Sequence, residues 1–156
     1  MSFSISSNRR ATQLANDELY TPKALFDKLG LQFDLDVASS YNDNIATPTI
    51  NRFTIDDDAL NQDWYGRVWM NPPFSKPSPW AEKWLSHGNG VALLPLSGNS
   101  RWWRNLWQSE ARVVMIEPNT GFINTEGEEK KIMYGISLWA IGDENVEAIK
   151  AFGKVR

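Results

Sequence analysis

The chain has 156 residues, enough for one domain with a real core and too few for a comfortable second one. Lys+Arg 16 against Asp+Glu 19 leaves a net charge of -3, so any grip on phosphates has to come from a local basic face. The chain has no cysteine, which excludes disulfides, iron–sulfur clusters and thiolate zinc sites; with His87 as the lone histidine, no metal centre and no Ser–His triad is expected.

Residues 1–16 are polar, rich in Ser and Asn, and carry Arg9 and Arg10. They read as a flexible N-terminal arm ahead of a single domain over 17–156. The start shows no signal-like apolar region, and no apolar run is long enough to span a bilayer, so a cytoplasmic protein away from membranes is expected. Thr21 fits an N-cap and Pro22 a first helical position, followed by Leu25, Phe26 and Leu29 at helical spacing up to Gly30. Phe33-Asp34-Leu35-Asp36-Val37-Ala38 alternates apolar with acidic residues, which predicts a strand delivering Asp36 to its carboxyl end, where a doubly wound sheet opens its ligand crevice. No glycine-rich turn follows, so Ala38 and Ser39 would have to allow close approach. The missing dinucleotide fingerprint argues against a dehydrogenase.

Residues 41–51 read as a polar loop, and 52–55 as a second strand ended by Asp56-Asp57-Asp58. Val68-Trp69-Met70 is a short apolar strand that runs into Asn71-Pro72-Pro73-Phe74. The prolines stiffen the exit and remove two backbone donors. What remains is a side-chain carbonyl at Asn71, a backbone carbonyl at Pro72 and a flat ring at Phe74, a set that suits a planar substrate with an exocyclic amino group. Ser78 as N-cap and Pro79 at the first position open a helix with Trp80, Ala81, Trp84 and Leu85 facing the core and Glu82 and Lys83 facing out. Residues 91–96 read as a buried strand, 97–100 as a turn into a helix that holds Trp103, Leu106 and Trp107 with Arg101 and Arg104 beside them, 113–116 as a strand, 118–131 as a hairpin or lid, 134–141 as the last strand and 144–152 as a closing helix.

Taken in order, Thr21-Pro22, the 33–38 strand, Asp63-Trp64 and Trp69-Met70-Asn71-Pro72-Pro73-Phe74 resemble the phage and prophage DNA N-6-adenine methyltransferase family, over about residues 20–141. The tetrad is the most diagnostic of these. The resemblance implies an α/β, Rossmann-like αβα sandwich, S-adenosylmethionine as methyl donor, and double-stranded DNA with a flipped adenine as substrate. It implies a catalytic role for Asn71, Pro72, Pro73 and Phe74, and cofactor contacts at Thr21, Pro22, Asp36, Ala38, Ser39, Asp57, Asp58 and Asn71. DNA contacts are expected at Lys76, Arg101, Arg104 and Lys130, in a monomer or homodimer. N-4-cytosine methylation, protein glutamine methylation and a non-catalytic binding module on the same fold remain alternatives. An exocyclic amine with a delocalised lone pair needs orientation and charge stabilisation more than a strong base, so the lack of a second histidine is no obstacle.

Overall fold

The computed structural model describes residues 20–40, 45–117, 121–123, 126–130 and 135–156. The expected arm over 1–16, with Arg9 and Arg10, lies outside the described residues. In chain order the elements are α1 (Lys23–Leu29), β1 (Phe33–Asp36), β2 (Thr49–Arg52), β3 (Val68–Met70), α2 (Ser78–His87), β4 (Gly90–Pro95), α3 (Arg101–Trp107), β5 (Arg112–Met115), β6 (Phe122–Ile123), β7 (Glu129–Lys130), β8 (Ile136–Ile141) and α4 (Asp143–Ile149). Short 3-10 turns cover Ile55–Asp57, Ala59–Asn61 and Lys150–Phe152.

The main sheet has the order β2-β1-β3-β4-β8-β5. Strands β2, β1, β3 and β4 are parallel, and β8 runs antiparallel between β4 and β5. Alternation along β4 shows why the sheet needs cover on both faces. Val91 and Leu93 point into a cluster with Leu25, Phe26 and Leu29 of α1 and Ile149 of α4. Ala92 and Leu94 point the other way, to Ala81 and Trp84 of α2 and Leu106 of α3. Strand β4 is therefore apolar on both sides and the helices lie in two outer layers. This is the expected Rossmann-like αβα sandwich. Phe26 meets Trp69 edge-on with centroids 4.7 Å apart, so α1 is fixed on the strand that leads to the tetrad.

Gly66 is required where the chain turns into β3. Its φ is +65°, and a Cβ there would lie 2.2 Å from Asp34 Oδ2, the atom that accepts the Arg67 N–H at 2.7 Å. Asp34 thereby ties the entry of β3 to β1.

Several local expectations are corrected. Helix α1 begins one residue late: Pro22 is the N-cap, at φ −69° and ψ 148°, and Thr21 is buried without a capping role. Likewise Pro77 precedes α2, with Ser78 its first residue and Pro79 its second. The second strand is Thr49–Arg52, not 52–55, so it claims the end of the expected loop. Among the described residues it is an edge strand, paired only to β1, with mostly exposed side chains, and no apolar pattern marks it. Thr54 instead opens the 3-10 turn through a capping box with Asp57. The 118–131 hairpin corresponds, where described, to the antiparallel pair β6 and β7.

Candidate functional site

Strand β1 is flanked by β2 on one side and β3 on the other, so the chain changes direction across the sheet at its carboxyl end. Crevices for ligands open at such switch points. Here the backbone beyond β1 is held from both sides. Val37 N–H donates to Trp69 O at 3.1 Å, while Phe53 N–H donates to Asp36 O at 2.8 Å and Ser39 N–H to Phe53 O at 2.9 Å. This double pairing fixes the 37–40 turn in the absence of glycines. Tyr20, just ahead of α1, reaches Ser40 Oγ at 3.0 Å through its hydroxyl.

A cleft of about 270 Å³ opens above this turn. One side is formed by Tyr20, Thr21, Asp36, Val37, Ala38 and Ser39, and the mouth by Ile45, Ala46 and Thr47. Ile55, Asp58, Ala59 and Leu60 form the opposite wall, and Asn71, Pro73 and Trp80 close the end beside the tetrad. Apolar walls with a few polar groups are the usual makeup of a small-molecule site.

Asp36 is buried in this cleft. Burial pushes its carboxyl up to about 7, against the Ala38 N–H, the Thr47 side chain and the Arg52 charge, all of which lower it. The Ala38 bond to Asp36 Oδ1 is 3.2 Å long. A buried carboxyl held this weakly suits a cationic group, which would restore its charge. At the other end Asn71 Nδ2 donates to Thr21 Oγ1 at 3.3 Å, and this turns the Asn71 oxygen away from Thr21.

Thr21, Asp36, Ala38, Ser39, Asp58, Asn71 and Pro73 therefore line one cleft. Asp57 does not: its carboxylate accepts Thr54 N–H at 2.7 Å and Thr54 Oγ1–H at 3.2 Å. Asp58 faces the cleft in a left-handed conformation at φ 51°, with Asn61 Nδ2 donating to its Oδ2 at 2.7 Å. Pro22 is the N-cap of α1 and Pro72 is buried, and neither lines the cleft. Phe74 is half-buried and packs toward the Leu25–Phe26 side of the core.

Lys76 is exposed in the turn after the tetrad, where its N–H donates to Pro73 O at 3.2 Å. Arg101 and Arg104 are exposed on α3, which follows β4, and Lys130 lies on β7. All four stem from connections beyond the carboxyl ends of β3, β4 and β5, the edge that carries the cleft.

Two residues of α2 do more than their periodicity predicts. Trp80 packs against the cluster that holds Trp84, as expected, and also lines the cleft and stacks on Trp64 with centroids 6.4 Å apart. Lys83, assigned to solvent, is half-buried against Trp64 and the 59–62 turn. Helical spacing could mark their face but not the turn, distant in sequence, that packs on it.

Among the described residues no group of three His, Asp or Glu could hold a metal ion, and no helix is long and apolar enough to cross a membrane. A family model described as DNA N-6-adenine-methyltransferase (Dam) matches residues 8–135. The DNA N-6-adenine-methyltransferase of Haemophilus phage HP1 (strain HP1c1) is 33% identical over 107 residues, which cover 64% of this chain and 60% of the phage protein. The match thus spans less than two thirds of that relative's length.

Proposed function

The chain belongs to the DNA N-6-adenine-methyltransferase (Dam) family, and on that premise we propose that it transfers a methyl group from S-adenosylmethionine to the exocyclic amine of adenine in double-stranded DNA. The observation that carries this reading is the adjacency, in one cleft, of the buried carboxyl of Asp36 and the amide of Asn71.

The residues fit such a cofactor. Asp36 provides a carboxylate for a cationic amino-acid end, while Ile55 and Leu60 provide apolar wall for a flat ring and Asp58 a carboxylate for hydroxyl donors. When bound, S-adenosylmethionine supplies an electrophilic methyl group. The rest is the work of this chain. Asn71 Oδ1 and the Pro72 carbonyl accept the two amine hydrogens of the target base, which draws the nitrogen lone pair out of conjugation and orients it. The same acceptors stabilise the positive charge that develops on nitrogen, and the extra proton leaves to solvent. Phe74 offers a ring face for the extruded base, which has to leave the duplex to reach the tetrad. Lys76, Arg101, Arg104 and Lys130 supply local positive charge toward the DNA backbone despite the net charge of -3. On this reading the reaction runs in the cytoplasm of a bacterial host, which the phage origin of the relative supports.

The test is tritium transfer from labelled S-adenosylmethionine to unmethylated duplex DNA, followed by digestion to nucleosides. Label in N-6-methyladenine supports the proposal. Label in N-4-methylcytosine or in a glutamine peptide moves the substrate, and no transfer from a protein that binds the cofactor makes the fold a binding module.

A further inference from the structure

The wall of the cleft formed by Asp58, Ala59 and Leu60 is short: Asp58 joins the two 3-10 turns, Ala59 and Leu60 belong to the second, and among the described residues the segment pairs with no strand. Its carbonyls are nevertheless taken. Lys83 Nζ, from the middle of α2, donates to Leu60 O at 2.9 Å and to Gln62 O at 2.5 Å. Trp64 Nε1–H donates to Ala59 O at 2.9 Å, and the Lys83 ammonium sits 5.3 Å from the Trp64 ring centroid. Trp80, one helical turn before Lys83, packs on that same ring and faces the cleft. One helix that begins just after the tetrad thus fixes the far wall of the cleft.

We infer that Lys83 is a positioning residue for the cofactor. It holds the 58–62 turn against α2, so that Asp58 and Leu60 keep the distance from Asp36 and Asn71 that the ligand needs. The inference rests on the proposed cofactor site. A half-buried ammonium that spends two donors on carbonyls and sits on an indole face is held in one geometry, unlike a solvated lysine. Its reach is what links a wall without strand pairing to a rigid element.

The experiment is calorimetric titration of wild type, Lys83→Met, Lys83→Arg and Trp64→Phe with S-adenosylhomocysteine, combined with KM for S-adenosylmethionine. Lys83→Met keeps the apolar stem on Trp64 but loses both donors, and should raise Kd and KM by about tenfold with kcat and DNA affinity little changed. Lys83→Arg should restore most of the affinity, since a guanidinium can also serve two carbonyls. Amide exchange at Asn61 and Gln62, whose N–H groups close the turn on Asp58 O and Ala59 O, should quicken in Lys83→Met. Should Lys83→Met fail to fold, Trp64→Phe, which keeps an aromatic ring under Lys83 and loses the bond to Ala59 together with part of the indole, should shift Kd in the same direction by a smaller factor. Wild-type affinity in the folded variants overturns the inference alone. A wild-type protein that binds neither ligand overturns the cofactor reading and this inference with it.

Discussion

Asn71 Nδ2 donates to the hydroxyl oxygen of Thr21 at 3.3 Å, across 50 residues of sequence. The bond joins the segment that leads into α1 to the tetrad after β3, and it decides which end of the Asn71 amide faces Thr21. An acceptor for an amine has to present oxygen, so Thr21 acts on the chemistry through Asn71. Thr21→Val removes the acceptor at nearly equal volume and should lower kcat about tenfold, equivalent to about 1.4 kcal/mol. Thr21→Ser should keep most of the activity. Steady-state kinetics on duplex DNA checks both.

Asp36 makes cofactor binding depend on pH. Burial raises its carboxyl from the ordinary 3.8 to about 7, so in the free protein it carries a proton at pH 6 that a cationic ligand has to displace. Affinity should fall as pH drops below about 7. Calorimetry at pH 6.5 in buffers of different ionisation enthalpy should show proton release on binding, and Asp36→Asn should abolish it while weakening binding.

The same shift has a stability consequence of definite sign. Between pH 4 and 7 the unfolded chain gives up this proton and the folded chain keeps it, so Asp36 makes the free protein less stable as pH rises through that window. The full cost is on the order of 4 kcal/mol, by 1.36 kcal/mol per unit. Asp36→Asn should therefore raise Tm at pH 8 and change it little at pH 4, as thermal unfolding would show.

Trp80 and Trp84 separate two roles on one helix. Trp84 is fully buried, and its indole N–H has no hydrogen-bond partner among the described residues. Trp84→Ala should cost about 3–5 kcal/mol, whereas Trp84→Phe should cost less than about 2, because the unpaired donor is removed along with the volume. Trp80→Ala should instead raise Kd for S-adenosylhomocysteine with a smaller loss of Tm. Denaturant unfolding and titration together distinguish the two.

What could be read from the sequence follows from where pattern is strong. The 68–70 run and the prolines after it gave the strand and its exit, and the 33–36 alternation placed Asp36 at a strand end. Residues 49–52 carried no such signal, because an edge strand with solvent on most side chains has no reason to alternate. Asp57 and Asp58 are indistinguishable as neighbouring carboxylates until the capping box turns one of them away. Lys83 and Trp80 look like a solvated charge and a core aromatic, since the turn they hold lies some twenty residues earlier and only the tertiary fold brings it to α2.

DNA binding should weaken with salt along a shallow slope, because an acidic protein has few cations to offer to phosphates. Each lost phosphate contact flattens the slope of log affinity against log salt by about one. Lys76→Ala should do so, since Lys76 is exposed two residues past Phe74. An unchanged slope would transfer the role to Arg101 and Arg104.

The central claim is that Asn71 orients the amine at the end of a cofactor cleft. Single-turnover methylation of duplex DNA by Asn71→Ala, alongside its Kd for S-adenosylhomocysteine, tests it most directly. The expected result is a rate lower by on the order of a thousandfold, with affinity for S-adenosylhomocysteine within about threefold of wild type. A variant that methylates at close to the wild-type rate would contradict it.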